Sequence, residues 1–282
     1  MSNEESSRAK ITVLMLILPT LLYLVLFWLV PVANIFWMSF TLGDTYLQGK
    51  PNYVGINNYS IIFTDFLETI RNTIVYPLVA ALIDLVLGIP LAYLLVRKKV
   101  GFTSILRAAL IFPYFGDIYV SYGLWNMFLP GGIFDPIYSI TGLNYKNFLY
   151  NPNAVIFGFA VFTLPFMVLY SSSAISQIDM SYEEVSMTLG YTPVETFLKV
   201  IVPLATPGII AGFIACFGWN LGGYLIPLLL GGVDSSNVMT VKIVELSLRI
   251  HNYGLAASLA IILLVITLIS SYLTFKITKA LE

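Results

Sequence analysis

The chain has 282 residues, of which 58% are hydrophobic and 10% charged, with a mean hydropathy of +0.87, which excludes an ordinary soluble domain and points to a polytopic membrane protein. Its net charge of −1 gives no basis for nucleic-acid binding. The one cysteine, Cys216, excludes an intrachain disulfide and a cysteine metal cluster.

An all-α architecture with six membrane-spanning helices in a single domain over 1–282 is expected. A span needs about 20 apolar residues, and such stretches fall near 12–37, 73–96, 104–129, 154–173, 204–229 and 254–275. The first is longer than a signal-peptide core and lacks a small-residue cleavage site, so it reads as a retained helix. An even number of crossings puts both termini on one side. That side carries Arg8, Lys10, Arg97, Lys98, Lys99, Arg107, Lys199, Lys276 and Lys279, nine of the 14 cationic residues, and by the positive-inside rule it is the cytoplasm. The opposite side has longer segments with turn formers such as Gly131-Gly132, Asn151-Pro152-Asn153 and Gly231-Gly232. Prolines at 19, 31, 90, 113, 165, 203, 207 and 227 lie in or beside the spans, where they kink helices and free backbone carbonyls. Gly208, Gly212 and Cys216, at four-residue steps, form a small-residue stripe suited to close helix contact.

One polar stretch, 181–203, interrupts this apolar pattern on the cytoplasmic side. Ser181 precedes Glu184 by three residues, the spacing of a capping box, so a short helix should start near Tyr182. Gly190 can take the left-handed conformation that ends it, and Thr192-Pro193-Val194-Glu195 repeats the box with proline at the first helical position. The pattern predicts helix, tight turn, helix.

Glu184, then Gly190, then Val200-Ile201-Val202-Pro203 resembles the EAA loop of binding-protein-dependent ABC importer permeases. Val185 and Ser186 replace its two alanines, and valines at 200 and 202 replace an isoleucine and a leucine. Other segments resemble the same family in the same order: Val54-Gly55-Ile56-Asn57-Asn58-Tyr59, Asn72-Thr73 with Gly88-Ile89-Pro90-Leu91-Ala92-Tyr93, Pro113 with Trp125, Leu164-Pro165-Phe166 and Gly231-Gly232. The resemblance covers roughly 12–275. It implies the type I importer fold, with 181–203 as the cytoplasmic coupling loop, in which Glu183, Glu184, Ser186, Leu189, Gly190, Tyr191, Thr192 and Pro193 serve ATPase coupling. It implies as partners a second permease subunit in a heterodimer, two cytoplasmic ABC ATPases and an extracellular or periplasmic substrate-binding protein, all in or at the cell membrane. The chain itself has no phosphate-binding loop, so it is read as no enzyme, with ATP and magnesium bound by the partner ATPase and no metal or cofactor of its own.

Asp84, in mid-span, needs a polar partner or a wet cavity, because a carboxylate at that depth costs about 2.5–3.5 kcal/mol. Asp117 lies just past Pro113. Trp125, Asn126, Trp219, Asn220 and Tyr224 combine flat apolar faces with neutral hydrogen-bonding groups, which suits stacking on a sugar ring and binding its hydroxyls. These seven are the candidate pathway residues, and a carbohydrate is the favoured solute. The alternatives are a polyamine-type permease, whose members usually carry an arginine where Ser121 falls, and a carrier driven by an ion gradient. The two capped helices favour the importer over the carrier.

Overall fold

A computed structural model describes residues 15–97, 108, 110–111, 116–142, 144–232 and 237–281. Its regular elements are helical, with a single isolated antiparallel bridge, Thr41 to Tyr53, among the described residues. In chain order we label α1 (Met15–Met38), α2 (Asn57–Asp65), α3 (Leu67–Arg97), α4 (Asp117–Phe128), α5 (Asp135–Thr141), α6 (Pro152–Ser176), α7 (Ser181–Thr188), α8 (Pro193–Leu221), α9 (Met239–Val244) and α10 (Tyr253–Leu281).

Five of these helices, α1, α3, α6, α8 and α10, are long and apolar enough to cross a membrane. Much of the span expected over 104–129, including Pro113 and Arg107, lies outside the described residues; its C-terminal part is the 12-residue α4. The span expected over 204–229 differs from what forms. Helix α8 begins at Pro193, because the Thr192–Glu195 capping box starts it there, and stops at Leu221, where Gly222-Gly223 interrupts the chain before a separate π-turn at Pro227–Gly231. Of the other π-turns, Val25–Leu29 in α1 and Phe197–Ile201 in α8 lie just before Pro31 and Pro203. A proline ring clashes with the carbonyl four residues back, and a wider turn makes room for it.

The described residues fall into two compact units. In the first, formed by residues up to Phe66 together with Ile243–Leu263, the buried Asn58 amide donates to the carbonyls of Ser39 (2.8 Å) and Thr41 (2.9 Å). The Ser258 hydroxyl also donates to the Ser39 carbonyl, at 2.9 Å. A side chain at Gly254 would sit 2.0 Å from the Thr41 carbonyl, so the start of α10 passes that backbone as only glycine can.

The second unit, Leu67–Lys242 with Leu264–Glu282, is built on α3, α6 and α8. Helix α3 opens with Glu68 in its first turn and closes with Arg97 in its last, each charge opposing the helix dipole. Helix α6 starts at Asn151, whose side chain accepts from the Ala154 amide at 3.0 Å, with Pro152 at the first position. The three helices pack through small residues. A Cβ at Gly208 would meet the Ala174 Cβ at 2.4 Å, one at Gly212 the Met167 sulfur at 2.9 Å, and one at Gly88 the Met167 Cγ at 2.8 Å. Cys216 is fully buried in the same seam, its thiol 3.3 Å from the Thr163 carbonyl. Because lipid tails give helices no hydrophobic reason to associate, such close backbone approach supplies the packing energy.

Candidate functional site

Two regions of the second unit gather the residues singled out in the sequence. The first is the hairpin of α7 and the start of α8. The Ser181–Glu184 capping box does not form: α7 begins at Ser181 itself, and its first turn is capped by Asp179, whose carboxylate accepts the Ser181 amide at 2.8 Å. That bond holds the Asp179 carboxyl below its ordinary value. The second box does form, with the Glu195 carboxylate accepting the Thr192 amide at 3.0 Å and the Thr192 hydroxyl accepting the Glu195 amide at 3.3 Å. Between the helices Gly190 adopts φ +94°, a left-handed turn conformation that strains any other residue.

Adjacent glutamates diverge here. Glu184 is exposed, whereas Glu183 is buried against the end of α3, where Arg97 pairs with it at 2.7 Å and the Tyr93 hydroxyl donates to it at 2.9 Å. The Arg97 guanidinium also donates to the Ile178 carbonyl, so one side chain ties α3 to both the approach and the first turn of α7. Ser186 is buried too, its hydroxyl 2.9 Å from that of Thr196, which closes the hairpin internally. Glu183 and Ser186, two of the residues expected to serve ATPase coupling, are thus buried, at 7% and 4% exposure. Leu189, Gly190, Tyr191, Thr192 and Pro193 are exposed, and Leu189 at 76% exposure forms the tip. Tyr182, Val185, Val194 and Leu198 extend this exposed apolar surface.

The second region is a cavity of about 400 Å³ lined by Asp117, Phe159, Phe162, Phe166, Trp219 and Asn220, together with Ile226, Gly116, Gly222 and Gly223. Trp219 stacks on Phe166, ring centres 5.7 Å apart and planes 17° from parallel. Two larger hollows exist. One of about 560 Å³ is lined chiefly by aliphatic residues such as Leu95, Val168 and Leu169, and one of about 540 Å³ runs past Tyr170, Gln177 and Asp179 beside α7. Neither joins aromatic rings to a carboxylate and a buried amide as the 400 Å³ cavity does.

Asp117, Trp219 and Asn220 thus come together, and the other four pathway candidates do not line this cavity. Trp125 donates its indole N–H to the Tyr150 hydroxyl at 3.1 Å, Asn126 is exposed one position further on, and Tyr224 packs half-buried against the apolar core beyond the glycine break. Asp84 is fully buried behind the cavity rather than in it. One of its oxygens accepts from the Thr163 hydroxyl at 2.6 Å, and the Asn220 amide donates to the same hydroxyl at 3.0 Å. Thr163 was not recognisable in sequence, since a lone threonine in an apolar helix carries no signal; the mid-span Asp84, which had to find a partner, was the only pointer to it. Ser121 is buried, its hydroxyl spent on the Asp117 carbonyl at 2.6 Å. Among the described residues no three His, Cys, Asp or Glu side chains gather as a metal site.

A family model described as a binding-protein-dependent transport system inner membrane component matches residues 10–281. The spermidine/putrescine transport system permease protein PotB of Escherichia coli is 29% identical over 244 residues, 85% of this chain and 88% of that protein. The trehalose/maltose transport system permease protein MalF of Thermococcus litoralis is 25% identical over 281 residues, 96% of this chain and 94% of its own. The fold is shared with a chain of a bacterial ABC transporter involved in the import of the acidic polysaccharide alginate, at a TM-score of 0.78 and 21% identity over 98% of both chains. An all-helical chain with membrane-length helices, matched from end to end by one transport family, belongs to the binding-protein-dependent transport system inner membrane components and is a permease subunit of an ABC importer.

Proposed function

We propose that this permease forms half of the translocation pathway for a small polar solute, a carbohydrate, and that two ATPase subunits drive its alternating access through the 181–203 hairpin. The observation that carries the coupling role is the division of the hairpin into a braced interior and an exposed apolar face. Glu183 and Ser186 are locked inward, while Tyr182, Val185, Leu189, Val194 and Leu198 stand out on a segment that also carries exposed charges. Exposed apolar patches rimmed by polar groups mark protein contacts, and a hairpin fixed to α3 by Arg97 passes a push from a partner directly into a membrane-length helix. Both termini and the hairpin lie in the cytoplasm. A second, different permease supplies the other half of the pathway, and a substrate-binding protein delivers solute from outside.

The pathway reading rests on the aromatic cavity holding Trp219, Asn220 and Asp117, where ring faces and hydrogen-bonding groups suit a pyranose. A polyamine is the second reading, favoured by the likeness to PotB and by the Asp117 carboxylate in the lining.

The test is copurification combined with labelling. A tagged chain should bring down an ABC ATPase, and a Leu189→Cys variant in a Cys216→Ser background should react with an impermeant maleimide in inverted vesicles only. Labelling from the outer face, or a chain that transports alone without ATP, overturns the proposal.

A further inference from the structure

The orientation of the Asn220 amide follows from its neighbours. The Thr163 hydroxyl has one proton and two acceptors beside it, the Asp84 carboxylate at 2.6 Å and the Phe159 carbonyl at 2.8 Å. Its third neighbour must therefore donate, and that neighbour is the Asn220 Nδ2 at 3.0 Å. Asn220 is 2% exposed and its Oδ1 has no hydrogen-bond partner, although the residue lines the aromatic cavity. A buried amide oxygen left unpaired is destabilising unless something comes to it. The rest of the side-chain lining agrees in polarity: Asp117 accepts, the four aromatic rings offer negative faces, and the Trp219 indole N–H is the one side-chain donor, with no lysine, arginine or histidine among the described lining residues.

We propose that the Asp84–Thr163–Asn220 chain holds Asn220 as a fixed hydrogen-bond acceptor toward the Trp219 cavity, so that the site takes solutes rich in donors, hydroxyl or ammonium, and rejects carboxylated ones. Thr163 and Asp84 are then positioning residues. This rests on the reading that the cavity lies on the pathway. A carboxylate entering it would meet an acceptor at Asn220 and a like charge at Asp117, whereas each hydroxyl or ammonium proton would find a partner already in place.

The experiment uses the assembled importer copurified in nanodiscs and follows the tryptophan emission that is lost in Trp219→Phe. The probes are trehalose, spermidine and galacturonate. Trehalose or spermidine should change the emission, each being a donor and the pair separating hydroxyl from ammonium recognition, and galacturonate should not. Thr163→Val keeps shape but frees the amide to turn. It should weaken the responding probe about tenfold, the worth of one hydrogen bond, and should let galacturonate bind, while Thr163→Ser restores the original preference. Loosened packing alone would weaken all probes without changing their order. Galacturonate binding to the unaltered importer, or an unchanged order of preference in Thr163→Val, overturns the inference while leaving the cavity as the pathway. If none of the three probes reaches Trp219 in an importer that takes up one of them with ATP, the pathway reading itself fails and this inference with it.

Discussion

Replacing Arg97 with methionine would leave the Glu183 carboxylate buried without its cation. The two side chains are each 9% exposed and 2.7 Å apart, so water cannot take over the lost partner. Removing one member of a buried pair costs about 3–5 kcal/mol. The Tyr93 hydroxyl, which donates to the second Glu183 oxygen at 2.9 Å, retains one bond to the charge and brings the expected loss to the low end, about 3 kcal/mol. This loss falls on the docking of α7 against α3 rather than on the whole chain, because the apolar seams among α3, α6 and α8 do not involve Arg97. Local opening should therefore become on the order of 100-fold more frequent. The readout is the labelling rate of Ser186→Cys in a Cys216→Ser background, since residue 186 is 4% exposed, held against Thr196, and reacts only when α7, no longer tied to α3 by Arg97, comes away from the start of α8. In the assembled importer the same variant should hydrolyse ATP and import little. The double variant Arg97→Met/Glu183→Leu removes the unpaired charge, and its labelling rate should return to within about fivefold of the parent, because well-packed apolar replacements of buried pairs are near neutral. Equal labelling of the single and double variants would refute the reasoning.

Gly190→Ile places a β-branched residue at φ +94°; with nothing within 4 Å of its Cβ the cost is backbone strain alone, about 1–3 kcal/mol, and import per ATP should fall while membrane insertion is unchanged. Gly158→Val would put its Cβ 2.4 Å from Leu230 and 2.7 Å from Ile226, lowering the melting temperature through about 1–3 kcal/mol of overpacking, whereas Gly123→Ala, into open space, should not lower it. Asp179 is held below its ordinary 3.8 by the Ser181 amide, so its stabilisation of the first turn of α7 is fully present above that pH and is lost as pH falls through the depressed folded value. Amide exchange over Ser181–Glu184 should quicken in that acid window in the parent and show no such step in Asp179→Asn.

Local chemistry was legible in the sequence where the partners were neighbours. Thr192 and Glu195 find each other within one helical turn, and Gly190 sits at its left-handed turn. The spacing of Ser181 and Glu184 was as good, yet the Asp179 carboxylate reaches the free amide first, and a spacing rule does not weigh competitors. The difference between Glu183 and Glu184 was invisible, because the partner that buries one of them, Arg97, comes from a helix far back in the chain. Asp84 announced that it needed a partner but not which one. Trp125 and Asn126 were grouped with Trp219 and Asn220 because composition has no depth, and only the packing of α6 against α8 separates cavity lining from outer contacts. The break at Gly222-Gly223 was missed because the residues on both sides are apolar and hydropathy runs on through it.

The Phe197–Ile201 π-turn lies between the capped start of α8 and the rest of that helix. A π-turn holds one residue more than an α-turn needs. Deleting a single residue there would restore regular winding and leave the Pro193–Thr196 segment facing as before, because the wider turn already absorbs the extra residue, whereas deleting one from a regular turn of the helix would rotate that segment about the axis by about 100°. In the second case both pieces would stay folded, and a different side of the hairpin would face outward. A one-residue gap at this turn in an alignment of related permeases therefore leaves the docking geometry unchanged, whereas the same gap a turn away alters it, and chimaeras that swap the hairpin between such relatives should be joined with the π-turn kept whole.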